Sequence, residues 1–338
     1  MRILVLFFCF FFSGCHFNKE LIKFDTNDLW QSQKNDDTFF LRSFNALVGT
    51  CKLLLDNNKT KITYKNICKK ASDYEYMSNK EALQFFIENF KLNLRKNLAI
   101  KGLMTGYYEP EVIAYENYKH GSFPIFKIDV EKYGRAVFNS SRKKINKGIL
   151  KDKELEIAWV NNEIEAFFLH IQGSGRLRYK DGKIKKIRYA GSNNKEYTAI
   201  GKILIELGKI QKDKVSMFSI KEWLYKNKIQ AKKIMEKNER YIYFEEYIGR
   251  IKGSAKIELV PFISIAVDPK HYSVGDILLI KENNNLKKIY ITIAHDTGAA
   301  IKGNQRIDLF TGYGNAAEKA AATMKKDVLI WKLEPKNK

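Results

Sequence analysis

The chain has 338 residues, of which 45% are hydrophobic and 29% charged. That length and composition suit roughly two folded domains with a substantial core, and they exclude a chain that is disordered throughout. Five prolines and four cysteines exclude a Pro-rich linker and a disulfide-built miniprotein, and 60 Lys and Arg against 38 Asp and Glu give a net charge of +22.

Such a charge favours anionic partners. Lys-rich composition with plentiful Asn, Ile and Tyr also reads as charge spread over many surface positions. No Arg cluster interleaved with aromatics marks a nucleic-acid groove, so nucleic acid is not expected as a partner.

At the N-terminus Met1-Arg2 precedes an unbroken apolar run from Ile3 to Phe12, then Ser13-Gly14-Cys15. The run is too short to cross a hydrocarbon core about 30 Å thick. It has the make-up of a secretion signal and resembles a bacterial lipoprotein signal, residues 1–14, with Cys15 as the acylated first residue of the mature chain. Residues 15–36 read as a tether. In an oxidising periplasm Cys51 and Cys68 are free either to pair, at a gain of about 3 kcal/mol, or to stay as two buried thiols.

Residues 37–92 read as helices. Ser78-Asn79-Lys80-Glu81 is a capping box, and Ala82, Phe85, Phe86 and Phe90 fall on one helical face as core. From Leu103 the pattern becomes β-like, with strands expected at Ser122–Ile128, Glu156–Val160 and Glu165–Ile171. A helix is expected over Asn193–Leu207, stopped at Gly208, and a second capping box at Ser219–Glu222. Further strands are expected at Tyr241–Phe244, Ile257–Val267, Ile277–Ile280, Ile289–His295 and Val328–Leu333, with a helix at Ala316–Met324.

Three aspartates stand at or within apolar segments of the last block: Asp268, Asp296 and Asp308. A carboxylate there is costly to bury unless it is hydrogen-bonded or protonated. All three also read as turn-forming residues, Asp268 before Pro269 most of all. His295 neighbours Asp296, but adjacent strand residues face opposite ways, so the two are not expected to share a site. No His-x-x-x-His or cysteine spacing for a metal occurs, and Gly173-Ser174-Gly175 is not a nucleophile elbow.

Three segments occur in order: Met104-Thr105-Gly106-Tyr107-Tyr108-Glu109-Pro110, then Ile171-Gln172-Gly173-Ser174-Gly175 with Tyr189-Ala190-Gly191, then Ala294-His295-Asp296-Thr297-Gly298 through Asp308-Leu309-Phe310 with Asp268 upstream. Together they resemble the membrane-bound lytic murein transglycosylase A family with its three-aspartate domain. The resemblance covers roughly residues 37–335. It departs from the family where Ser273-Val274-Gly275-Asp276 replaces a Pro-Gly-Thr turn and where Ala299 replaces a glycine.

The resemblance implies a mainly β fold with flanking helices. A double-psi β-barrel domain from residues 37–109 and 250–338 would flank an inserted, smaller β-rich domain from 110–249, with a glycan groove between them. It implies Asp308 as catalytic acid, Asp296 lining the same site, and no cofactor or metal. Thr105, Gln172 and Ser174 would hydrogen-bond sugars, and Gly106, Gly173 and Gly175 would admit the glycan to the backbone. Tyr107 and Tyr108 would stack on sugars, one facing the groove and its neighbour inward. Tyr189, Gly191, Gly298 and Lys302 complete the expected binding set, Lys302 either meeting a lactyl carboxylate or solvated.

The expected reaction is cleavage of the MurNAc–GlcNAc bond of peptidoglycan with closure of a 1,6-anhydro ring. Its alternatives are a hydrolase using water and a non-catalytic wall-binding lipoprotein. The expected location is the periplasmic face of the outer membrane, His16 after Cys15 favouring outer-membrane sorting. A wall-remodelling complex is left open as a further partner.

Overall fold

A computed structural model describes residues 37–92, 100–283 and 288–336. The signal, the tether and Cys15 lie outside the described residues. No helix among those described is long and apolar enough to cross a membrane.

The chain opens with three helices, α1 (Phe39–Asp56), α2 (Asn58–Ser72) and α3 (Asn79–Asn89), followed by β1 (Phe90–Leu92), β2 (Ile100–Glu109), β3 (Glu111–Tyr115) and β4 (Phe123–Phe126). Three short helices come next, α4 (Val130–Tyr133), α5 (Arg135–Phe138) and α6 (Arg142–Asn146), then β5 (Glu156–Val160), α7 (Glu163–Gln172), β6 (Ser174–Arg178) and β7 (Ile184–Ser192). After α8 (Ile200–Glu206), α9 (Met217–Lys226) and α10 (Lys228–Met235) come β8 (Ile242–Tyr247), β9 (Ser264–Val267), β10 (Ile277–Glu282), β11 (Ile289–Thr297) and β12 (Arg306–Tyr313). The chain ends in α11 (Gly314–Thr323) and β13 (Lys325–Pro335).

Two sheets organise these elements, and the fold is mainly β with flanking helices. The first runs β1-β13-β10-β11-β9-β12-β2, and β2 pairs again with β13, so six of its strands close into a ring. The β9–β11 and β2–β12 pairs are parallel and the others antiparallel. The second sheet runs β4-β5-β3-β6-β7-β8.

The helices α1 to α3 cover the ring. Phe39, Phe40, Leu47 and Phe86 share one core with Ile265, Ile291, Leu309 and Trp331. Polar ties fix the contact, since Ser43 Oγ donates to Ile291 O and Thr50 Oγ1 meets His295 Nε2. A disulfide joins Cys51 on α1 to Cys68 on α2. The reciprocal Ser78–Glu81 capping box opens α3, satisfying two backbone donors that a helix start leaves free.

Four expected elements differ. Glu165–Ile171 is helical, within α7, because Asn162 caps its start and Gly173 ends it at φ 80°. A continuous apolar run does not separate a buried strand from a buried helix, so the caps decide. Only Ile200–Glu206 of the expected Asn193–Leu207 helix forms. Asn193 is buried and spends its amide on Ser140 O, Glu239 O and Tyr241 N, and Asn194 sits at φ 56°. The capping box near α9 is Ser216 with Ser219, one turn earlier than expected, with Ser219 as the reciprocating residue. The strand expected from Ile257 starts only at Ser264, after Pro261, which lacks an N–H, and Phe262 at φ 63°.

Candidate active site

The site grows from a row of paired residues. On β12, Asp308 registers with Thr105 of parallel β2 on one side and with Ala266 of antiparallel β9 on the other. Ala266 registers in turn with Asp296 of β11. Paired residues on neighbouring strands face the same way, so Thr105, Asp308, Ala266 and Asp296 form one row across four strands. Strands about 4.8 Å apart put the two aspartate Cα atoms about 9–10 Å from one another.

Thr105 Oγ1 donates to Asp308 Oδ1 at 2.5 Å. Burial pushes the Asp308 carboxyl up from 3.8 to about 6. The Thr105 hydrogen bond and the Arg306 charge oppose the rise, and the Asp296 charge adds to it.

A register shift between Ala294 and Asp296 in β11 re-aims the side chains at its end. His295 turns into the core, its two ring nitrogens meeting Thr50 Oγ1 at 2.9 Å and Ser264 Oγ at 2.8 Å. Burial pushes it down to about 4, so it stays neutral. As expected, it shares no site with its neighbour. Asp296 instead meets a cage of donors: Ser254 N and Thr297 N reach Oδ1 at 2.9 Å each, and the Tyr107 hydroxyl reaches Oδ2 at 3.0 Å. Burial raises its carboxyl, and these donors hold the rise back. Burial first, and the Asp296 charge second, raise the Tyr107 phenol well above its ordinary value, so it remains a donor.

The two tyrosines of the first motif split by alternation. Tyr107 turns to Asp296, and its ring lies 5.3 Å from that of Phe310. Tyr108 is buried against Ala317 and Ala321 of α11. Several motif residues do internal work. The Gln172 amide oxygen accepts from Tyr108 N at 3.2 Å and so ties α7 to β2. Gly173 is the left-handed stop of α7. A Cβ on Gly106 would stand 2.8 Å from Ala321 Cα, and one on Gly175 would stand 2.2 Å from Leu169 Cδ2, so both glycines serve close packing. Gly298 packs on Ile301 and Gly191 on Ile128. Ser174 is buried in β6, whereas Tyr189 and Lys302 are exposed and make no hydrogen bond to either aspartate.

Asp268 stands outside the row's chemistry. Its carboxylate accepts from Gly303 N at 2.7 Å and Lys270 N at 3.1 Å, pinning the loop before β12 to the end of β9. These two backbone donors hold its carboxyl below the usual range.

Three residues near the row escaped the sequence reading. Arg306 lies two positions before Asp308 on the same strand face, so alternation was an available signal. Ser254 sits in the turn before β9 and carries no local signal. Tyr197 sits in the irregular stretch 193–199, which was expected to be helical. Burial, and then the Asp308 charge, raise its phenol.

Comparisons with known proteins agree with this architecture. Residues 103–245 match the MltA specific insert domain and residues 263–334 match the 3D domain. The chain is 30% identical to a membrane-bound lytic murein transglycosylase A homolog of Buchnera aphidicola over 347 residues, 95% of this chain and 92% of that protein. It is 32% identical to membrane-bound lytic murein transglycosylase A of Vibrio cholerae over 249 residues, which span 70% of this chain and 66% of the relative's length. Among solved structures, the membrane-bound lytic murein transglycosylase of Agrobacterium tumefaciens superposes with a TM-score of 0.77 at 26% identity, covering 91% of this chain and 96% of that one. The fold also matches E. coli MltA with bound chitohexaose, with a TM-score of 0.71 at 24% identity over 88% of this chain and 89% of that one. A 3D domain joined to this insert defines the class, a lytic transglycosylase scaffold. The chain belongs to the membrane-bound lytic murein transglycosylase A family.

Proposed function

We propose that the chain is a peptidoglycan lytic transglycosylase that breaks the β-1,4 bond between MurNAc and GlcNAc, with Asp308 as the single acid and base. The observation that carries this reading is the contrast between the row's two carboxyls. Asp308 is half-buried, pushed up to about 6, and accepts one hydroxyl hydrogen bond. Asp296 is held by three donors, which favours its ionised form.

In the first half of the reaction protonated Asp308 gives its proton to the bridging oxygen as the C1–O bond breaks and GlcNAc leaves. Positive charge develops at the anomeric centre, where anionic Asp296 is favourable. In the second half the 6-hydroxyl of the same MurNAc bonds to C1 and gives its proton to the Asp308 carboxylate. The acid is regenerated and a 1,6-anhydro ring is closed. The nucleophile is intramolecular, so positioning replaces the activation of water.

In the same reading the closed ring is the double-psi β-barrel, formed from residues 37–109 and 250–338, with residues 110–249 as the inserted domain. The glycan lies where Tyr197 approaches Asp308, with Thr105, Tyr107 and the exposed Tyr189 and Lys302 along it. The chitohexaose of the E. coli structure supports a glycan in such a groove. Lipid on Cys15 would anchor the enzyme at the periplasmic face of the outer membrane, in keeping with the membrane-bound names of its relatives.

The test is mass spectrometry of fragments released from purified sacculi. Fragments lighter by one water than reducing-end products support the reading, and none should appear with Asp308→Asn. Reducing ends identify a hydrolase. Binding to sacculi without release of fragments identifies a wall-binding protein.

A further inference from the structure

Away from the aspartate row, a cavity of about 740 Å³ opens beside β4 and β5 of the second sheet, closed behind by α6, α7 and Tyr241. Its deepest lining is a buried cation beside a neutral imidazole. Arg142 is 3% exposed and His170 5% exposed. The Arg142 Nη1 lies 2.9 Å from His170 Nδ1. A guanidinium only donates, so Nδ1 accepts and the imidazole carries its proton on Nε2. That Nε2 is buried and has no hydrogen-bond partner among the described residues.

The rest of the guanidinium is held by main chain, with Nε donating to Asn238 O and Nη2 to Arg240 O. No carboxylate forms an ion pair with it among the described residues. Burial brings Arg142 down to about 10 against the opposing effects of Tyr241 and Glu163, which still leaves it charged at neutral pH. Nη1 and Nη2 each keep a second N–H that no protein acceptor claims. The rings of Phe167 and Tyr241 flank the guanidinium at 4.8 and 5.1 Å and the Glu163 charge acts on it without pairing, so the cation is only partly compensated, and a ligand anion would complete the compensation.

The mouth has the opposite character. Asp152, Glu154, Glu156 and Glu163 line it with Lys151 and Lys232, an acidic excess on a chain of +22. None of the four carboxylates is in an ion pair among the described residues. Between floor and mouth the wall is apolar, made by Phe123, Phe126, Phe167 and Met235, with Trp159 near the opening.

Cation at the floor, apolar wall and acidic rim together specify a ligand with a carboxylate at one end and an amine at the other. We propose that the cavity binds a short zwitterionic peptide, seated carboxylate first against Arg142 and His170 with its amine at the acidic rim. The chemistry stands on the cavity itself. Only the source, a peptide side chain of the wall polymer, rests on the function proposed above. A neutral sugar would add no counter-charge at the floor and is the disfavoured occupant.

The test is isothermal calorimetry on the purified chain with four probes: L-lysyl-D-alanyl-D-alanine, its C-terminal amide, its diacetylated form, and chitotetraose. The free tripeptide should bind, and the amide and the diacetylated form should each bind at least tenfold more weakly. No binding by the tripeptide, or equal binding by the amide, overturns the proposal; chitotetraose, which the groove proposed above would also hold, overturns it only if it displaces the tripeptide.

Location is read by tryptophan fluorescence. Of the four tryptophans in the chain, Trp159 lines the cavity. The tripeptide should change the emission of the wild type. In Trp159→Phe that change should vanish while the calorimetric affinity stays within a few fold. A change that persists places the peptide elsewhere and overturns the proposal. These readouts avoid replacing Arg142, whose main-chain bonds make its variants prone to unfold. They are repeated on Asp308→Asn, where binding should equal the wild type. Peptide binding and turnover can thus fail separately.

Discussion

The Asp308 carboxyl is held in a state that the unfolded chain does not impose, and this has a measurable consequence for stability. A carboxyl raised from 3.8 to about 6 costs the folded state about two pKa units, or at most about 3 kcal/mol, once both states are ionised. The sign follows from proton counting. Below pH 3.8 the group is protonated folded or unfolded and contributes no difference. Between 3.8 and about 6 the unfolded chain has lost the proton that the folded chain retains, so stability falls as pH rises. Above about 6 the penalty is complete and constant. Asp308→Asn keeps the shape, lets the Thr105 hydroxyl donate to the amide oxygen, and removes the ionisation. The variant should therefore be more stable than the wild type at pH 7, by up to about 3 kcal/mol, and should melt several degrees higher. The gap should shrink steadily below pH 6 and close near pH 3.5. Differential scanning calorimetry of both proteins from pH 3.5 to 8 measures it. A gap that does not change with pH, or an Asn variant less stable at pH 7, would refute the raised carboxyl and with it the role of Asp308 as a proton donor.

Thr105→Val removes the hydroxyl that favours the ionised form of Asp308. A hydrogen bond to a charged acceptor is worth about 1.5–3 kcal/mol, so the alkaline limb of the pH–rate profile should move up by about one to two units, and a limb that stays or moves down contradicts the assignment. Tyr107→Phe withdraws one of three donors from Asp296 and should lower kcat about tenfold in the sacculus-release assay, with an unchanged circular dichroism spectrum. Gly106→Ala forces a Cβ to within 2.8 Å of Ala321 Cα, a backbone atom, and should cost about 1–3 kcal/mol in urea unfolding. Cys68→Ser opens the bridge to Cys51 across 17 positions and should cost about 3 kcal/mol, with reductant bringing the wild type to the same midpoint.

Local signals were legible where their chemistry is complete within a few residues. The Ser78–Glu81 box encodes both of its hydrogen bonds in four positions, and Glu156–Val160 stands out as β5 because it is a short run rich in Ile, Trp and Val. The Glu165–Ile171 segment was not, because its short apolar stretch Ala166–Leu169 is too brief to show a period, and the caps that settle it lie outside the segment. Asn193 defeats the helix expected after it by binding three main-chain groups, all of them distant along the chain. The site divides in the same way. Asp296 and Asp308 stand in motifs of their own, and the alternation of Tyr107 and Tyr108 follows from strand geometry alone. Ser254, which donates to Asp296, and Tyr197, which feels the Asp308 charge, come from segments with no periodicity. The motif glycines conceal a different distinction. Gly106 and Gly175 are fixed by neighbours that a Cβ would strike, so their presence in a motif reflects packing around the site rather than access to it.

The row from Thr105 to Asp296 also explains how two carboxyls within one site come to differ. Both pair with the same residue, Ala266, from opposite sides, so one small side chain sets their spacing and fills little of the space between them. Asp308 lies within its strand, where the main-chain donors around it belong to the sheet, and a threonine hydroxyl is what remains to meet it. Asp296 lies at the ragged end of β11, past a register shift, where strand pairing gives out and the free N–H groups of Thr297 and Ser254 turn towards it. Position in the ladder thus sets the donor supply: burial raises both carboxyls, interior pairing leaves Asp308 one side-chain donor, and the strand end gives Asp296 three that hold its rise back. A carboxylate committed to three donors is poorly placed to take a proton from water, which is the step a hydrolase needs from its second acid. The same commitment suits an anion that stays fixed while charge develops beside it. In the mechanism proposed above, that fixed anion would leave ring closure to the substrate's own hydroxyl.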